Sequence, residues 1–118
     1  SMETIKISNY QDSIMIITEV RMTGNYNQLD NNTKQVKLLI NLENEGEPAL
    51  ARNMVFFYQK NSEWIQADTV SITNFGDGTY NASFIAPLDQ ISDPLNVSIQ
   101  CVDERGITVE TTTRCASS

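Results

Sequence analysis

Six carboxylates are the residues of this chain whose spacing first suggests chemistry. Glu43, Glu45, Glu47, Asp77, Asp103 and Glu104 lie in or beside three segments, 44–53, 74–78 and 103–106, that read as turns. Strands that alternate in direction bring every second turn to the same end, so these acids are expected to share one pole. Gathered there, they could hold Ca²⁺, which takes six to eight oxygen ligands. The plainer reading is solubilising charge on exposed turns, where Asp also sets turn geometry. No EF-hand or other D-x-D-x-D spacing occurs, and Arg52 and Arg105 sit in the same loops as ready counter-ions. No metal site is therefore assigned, and Ca²⁺ is the one cofactor that the acidic loop end leaves open. A pair of glycosidase carboxylates would need a fixed separation across a cleft, and loops this short build none.

Histidine is absent, which removes His-dependent triads, proton shuttles and zinc–His sites together. Cys101 and Cys115 are the only cysteines, too few for a four-cysteine zinc site. If 95–102 and 107–114 form a hairpin turning near Glu104-Arg105, Cys101 pairs with Thr108 or Val109. Cys115 then lies about six residues further along, roughly 20 Å at strand rise. A disulfide needs Cα atoms within about 7 Å, so these two are expected not to bond. Cys101 reads as a small buried hydrophobe, and Cys115 as free or paired elsewhere. Phe56, Phe57 and Tyr58 are consecutive, so their strand must carry aromatics on both faces. Phe56, Tyr58 and Trp64 form the candidate aromatic patch for a partner or carbohydrate, with Trp64 read alternatively as a tryptophan of the core or its edge.

The elements that would position these groups are strands. The 118 residues suit one domain with its own core: residues 1–2 read as a tag remnant and 3–118 as the domain. Period-two alternation puts Val36, Leu38, Ile40 and Leu42 on one face of 34–43. It does the same for Tyr80, Ala82, Phe84 and Ala86, and for Leu95, Val97, Ile99 and Cys101. Further strands are expected at 54–59, 64–73 and from Ile107 to about Arg114, with one or two more at 4–8 and 13–20. The Asn-rich stretch 24–33 reads as an exposed loop. Nothing shows a sustained helical period, and a parallel sheet would need helical crossovers for which there is no room.

The net charge of −7 repels nucleic acid and anionic membrane surfaces, and no basic cluster offsets it. The longest dense apolar run, 14–17, is strand-sized, so no direct membrane insertion of this segment is expected. Three N-x-S/T sequons, at Asn31, Asn81 and Asn96, permit an extracellular setting without arguing for one.

From residue 46 onward the chain resembles the Ig-like and filamin-like β-sandwich repeat domains of prokaryotic surface proteins. The residues that carry this are Gly46-Glu47-Pro48 before a strand, the run from Asp77-Gly78-Thr79-Tyr80 to Pro87, and a closing hairpin with Asp103-Glu104-Arg105-Gly106 at its turn. The resemblance implies an all-β, immunoglobulin-like antiparallel sandwich of about seven or eight strands. It implies a non-catalytic structural or interaction module of a cell-surface, S-layer, adhesin or appendage protein. Its partners would be proteins, either neighbouring domains or further copies joined through an edge strand. A ligand-binding module for Ca²⁺ or carbohydrate, or an accessory domain of a larger enzyme, are the alternatives.

Overall fold

The computed structural model describes residues 16–30, 33–87 and 94–118. The expected strand at 4–8, the tag remnant and Asn31 lie outside these. Nine strands are present: β1 Glu19–Gln28, β2 Thr33–Asn44, β3 Glu47–Pro48, β4 Asn53–Lys60, β5 Glu63–Gln66, β6 Ser71–Asn74, β7 Thr79–Pro87, β8 Leu95–Val102 and β9 Thr108–Ser117. Among the described residues there is no helix. The protein is all-β, but the two separate sheets expected from the sequence are joined. Eight strands follow one hydrogen-bonded path, β5-β4-β8-β9-β1-β2-β7-β6, with the two-residue β3 paired to β2. They form a single curled sheet.

The join is a short parallel contact in which Asn25 and Tyr26 pair with Ala116 and Ser117. All other pairs are antiparallel. No local crossover is needed, because most of the chain lies between these two strands.

The period-two reading of the central strands matches the burial. Val36, Leu38, Ile40 and Leu42 of β2 are buried, as are Tyr80, Ala82, Phe84 and Ala86 of β7 and Leu95, Val97, Ile99 and Cys101 of β8. Each large aliphatic side chain so removed from water contributes roughly 1.5–3 kcal/mol. Tyr58 of β4 stacks on Phe84 of β7, with ring centroids 5.9 Å apart. Those strands sit near opposite ends of the path, so the curl brings its two halves face to face around one core.

Three strand expectations differ from the structure. Of the strand expected at 13–20, residues 16–18 lie outside any strand and β1 begins only at Glu19. The stretch 64–73 is not one strand but two, β5 and β6, at opposite edges of the sheet. The chain leaves the first half after Ala67, whose amide donates to the Phe56 carbonyl (2.9 Å), and turns at Thr69, φ 51°. The stretch 24–33 is not a loop throughout, since 24–28 complete β1. Tyr26 is buried there and pairs with Val36, so an Asn-rich composition hides a strand with one face in the core.

Candidate functional site

The three acidic turns do meet at one end of the fold. The Leu42 amide donates to the Gly78 carbonyl at 2.8 Å, Arg52 to Val102 at 2.8 Å, and Ala49 to Leu42 at 3.0 Å. Tyr80 is buried at the start of β7 and its hydroxyl accepts the Ala51 amide at 3.2 Å. Burial raises the pKa of this phenol, with the Ala51 hydrogen bond partly opposing. Glu45 and Gly46 both take positive φ, 50° and 87°, in the two-residue hairpin joining β2 to β3, as such turns require.

Sharing an end does not make the carboxylates converge. Among the described residues no group of three or more acids or cysteines could hold a metal ion. Glu43 is bound by Arg21, which also approaches Glu19 at 3.8 Å. Asp77 accepts the Thr79 amide (3.0 Å) and so serves its own turn. Glu45, Glu47 and Glu104 are exposed.

Asp103 is wholly buried. One carboxylate oxygen, Oδ1, accepts the backbone amides of Arg105 (2.9 Å) and Ile107 (3.2 Å). The other, Oδ2, takes the Arg105 guanidinium at 2.7 and 3.1 Å and the Ile17 amide at 3.5 Å. The Arg105 hydrogen bonds, followed by the backbone amides, hold this carboxyl below its ordinary range against the cost of burial. It is the keystone of the β8–β9 turn, closed by Gly106 at φ 82°, and its oxygens are committed there.

The candidate aromatic patch divides. Phe56 and Tyr58 point into the core and are buried, so they present nothing to a partner. Trp64 is 45% exposed and stands opposite Gln59 on the outward face of β4 and β5. Phe57, the odd member of the aromatic triplet, lies on that outward face with it. The two line a groove of about 520 Å³ together with Ser98, Gln100, Glu110 and Thr112. The sequence reading missed Phe57 as a surface residue, although strand parity alone separates it from Phe56 and Tyr58.

A second outward groove, about 640 Å³, crosses β1, β2, β7 and β6, lined mainly by Thr23, Asn25, Lys37, Thr73, Asn81 and Ser83. Asn81 is exposed within its sequon, whereas Asn96 is half-buried and donates to Gln59 at 2.8 Å.

Both cysteines are free and buried. Cys101 pairs with Val109 and Cys115 with Leu95, six positions apart along the hairpin, as the sequence register requires. Burial pushes the Cys101 thiol up to about 12 and Cys115 to about 11. A thiol-specific disulfide reagent at pH 8 is therefore expected to find no reactive group in the native protein and two after unfolding in guanidinium. Fewer than two after unfolding would show that a covalent link exists.

Compared with models of known protein families and with curated proteins, the sequence matches none.

Proposed function

We propose that this chain is a non-catalytic immunoglobulin-like sandwich module, working by protein contact and spacing within a surface or appendage protein. The observation that carries the reading is the strand path. Cut at the two-residue β1–β9 contact, it falls into β6-β7-β2-β1 and β5-β4-β8-β9. With β1, β2, β7 and β6 taken as the A, B, E and D strands and β4, β8 and β9 as C, F and G, this is the order of an Ig sandwich. The β5 strand extends the second sheet, and β1 touches both. The Tyr58–Phe84 stack across the core fits two facing sheets.

The lack of histidine and the short turns support a non-catalytic role.

The contact surface favoured for partner binding is the edge strand β6. Phe75 donates to Thr79 (3.1 Å), and 73 pairs with 81 and 71 with 83. The backbone groups of Ile72 and Asn74 consequently point away from β7, as alternation dictates. The strand carries no charge and no proline, and Ile72, on the core-facing register, is left 44% exposed. An edge of this kind invites strand addition.

Sedimentation over a wide concentration series tests this. Reversible self-association that strengthens with added salt is expected, because salt screens the repulsion between two chains of charge −7. Ile72→Lys should abolish it. A monomer at every concentration, or association untouched by that substitution, would overturn the β6 contact.

A further inference from the structure

We propose that the outward face of β5, β4, β8 and β9 binds a neutral oligosaccharide of β-gluco-configured pyranose units, with Trp64 as its platform. This goes beyond the module reading above and does not depend on it.

The face is built in rungs across the four strands. Phe57 stands opposite Gln66 on one side and Ser98 on the other, and Ser98 stands opposite Thr112. One rung away, Gln100 stands opposite Glu110 and donates to its carboxylate at 3.2 Å. Trp64 closes the other side, opposite Gln59. The small Ser98 thus lies on the floor between an aromatic wall and an amide–carboxylate wall. The resulting groove, about 520 Å³, is within the size range of small-ligand sites.

The chemistry of the walls selects the occupant. An indole offers a large apolar surface, which suits a flat array of C–H groups. A β-gluco pyranose carries all its ring substituents equatorially, so axial hydrogens form an unbroken apolar face on each side. Its hydroxyls then lie around the rim, where Gln100, Glu110, Ser98 and Thr112 supply donors and acceptors. A hydroxyl donating to the Glu110 carboxylate makes a charge-assisted bond, the stronger kind.

Other occupants fit less well. An anionic saccharide would meet Glu110 and a chain of net charge −7. A cation would find a single carboxylate. A stable protein interface needs about 800 Å² per partner with an apolar centre, and here two aromatic residues stand among polar ones.

Trp64 is the only tryptophan in the chain, so intrinsic fluorescence reports this site alone. Titration with cellotetraose, and separately with chitotetraose, should give a saturable change in intensity with a blue shift. In native gels containing hydroxyethylcellulose the protein should be retarded. Trp64→Ala should lose that retardation while keeping the native melting temperature, because Trp64 is on a short exposed edge strand. Glu110→Gln keeps an acceptor oxygen but loses its charge, and should weaken binding roughly three- to tenfold, the difference between a charge-assisted hydrogen bond and a neutral one. Phe75→Ser, on the β6–β7 turn, should bind as the native chain does. A flat titration with both tetrasaccharides, or full retardation of Trp64→Ala, would overturn the proposal. Trp64-dependent self-association without any saccharide response would overturn it in favour of a protein occupant.

Discussion

Replacing Gly78 with alanine is expected to lower the unfolding free energy by about 3 kcal/mol. Two costs combine there. Gly78 has φ 87°, a backbone conformation that charges any side-chain-bearing residue roughly 1–2 kcal/mol. A Cβ at this position would also stand 2.8 Å from the Leu42 carbonyl oxygen and 3.2 Å from Pro48. Neither neighbour is a flexible tip. The Leu42 amide donates to the Gly78 carbonyl, so relief of the clash strains the hydrogen bond between β2 and the β6–β7 turn. Gly76 and Gly46 provide internal controls, with φ 81° and 87° but nothing within 4 Å of an added Cβ. Alanine at either should cost only the backbone part. Equilibrium urea unfolding of the three variants separates the contributions. Equal losses at 76 and 78 would show that the close approach to Leu42 and Pro48 carries no energy.

Gly78 also shows how much of the fold is legible in the sequence. Asp77-Gly78-Thr79 announces a turn, because Gly supplies positive φ and Asp can bond back to the chain. That the turn is packed against Leu42 and Pro48 depends on contacts distant in sequence. The same division runs through the fold. The phases of β2, β7 and β8 are legible because one face of each is apolar at every second residue. The break inside 64–73 is not, since Asp68 and Thr69 carry no Gly or Pro to announce a left-handed turn. Burial of Tyr26 depends on pairing with Val36 amid asparagines that mimic a loop.

Among site residues, parity alone separates Phe57 from Phe56 and Tyr58, but which side faces the core is decided by packing, which buries Phe56 and Tyr58. Placing Trp64 beside Phe57 additionally needs the β4–β5 register. The common pole of the acidic loops follows from strand alternation. What each carboxylate touches does not, because Asp103 and Glu104 look alike in sequence while one is buried and the other exposed. The β1–β9 contact is least legible of all, being two residue pairs between the two ends of the described chain.

Asp103 carries the second large effect. Asp103→Ala should cost about 3 kcal/mol, because it leaves three amides, one buried and two partly buried, without this acceptor and removes the partner of Arg105. Those amides belong to Arg105, Ile107 and Ile17, so the turn and the entering chain loosen together. Asp103→Asn retains the shape and loses the charge, and should fall between the native chain and the alanine variant. The pH dependence distinguishes a charged keystone from a merely well-packed one. The Asp103 carboxyl is held below its ordinary range in the folded state, chiefly by Arg105. Its contribution is therefore present above the unfolded aspartate value of about 3.9 and is lost as pH falls through the lower folded value. Asn at this position cannot titrate. The stability gap between the native chain and Asp103→Asn should be widest near neutrality and close progressively as the pH drops below about 4. Urea unfolding of both proteins across that range measures the gap directly and cancels the titration of the other acids they share. A gap that stays constant into the acid range would mean that shape, not charge, holds the β8–β9 turn.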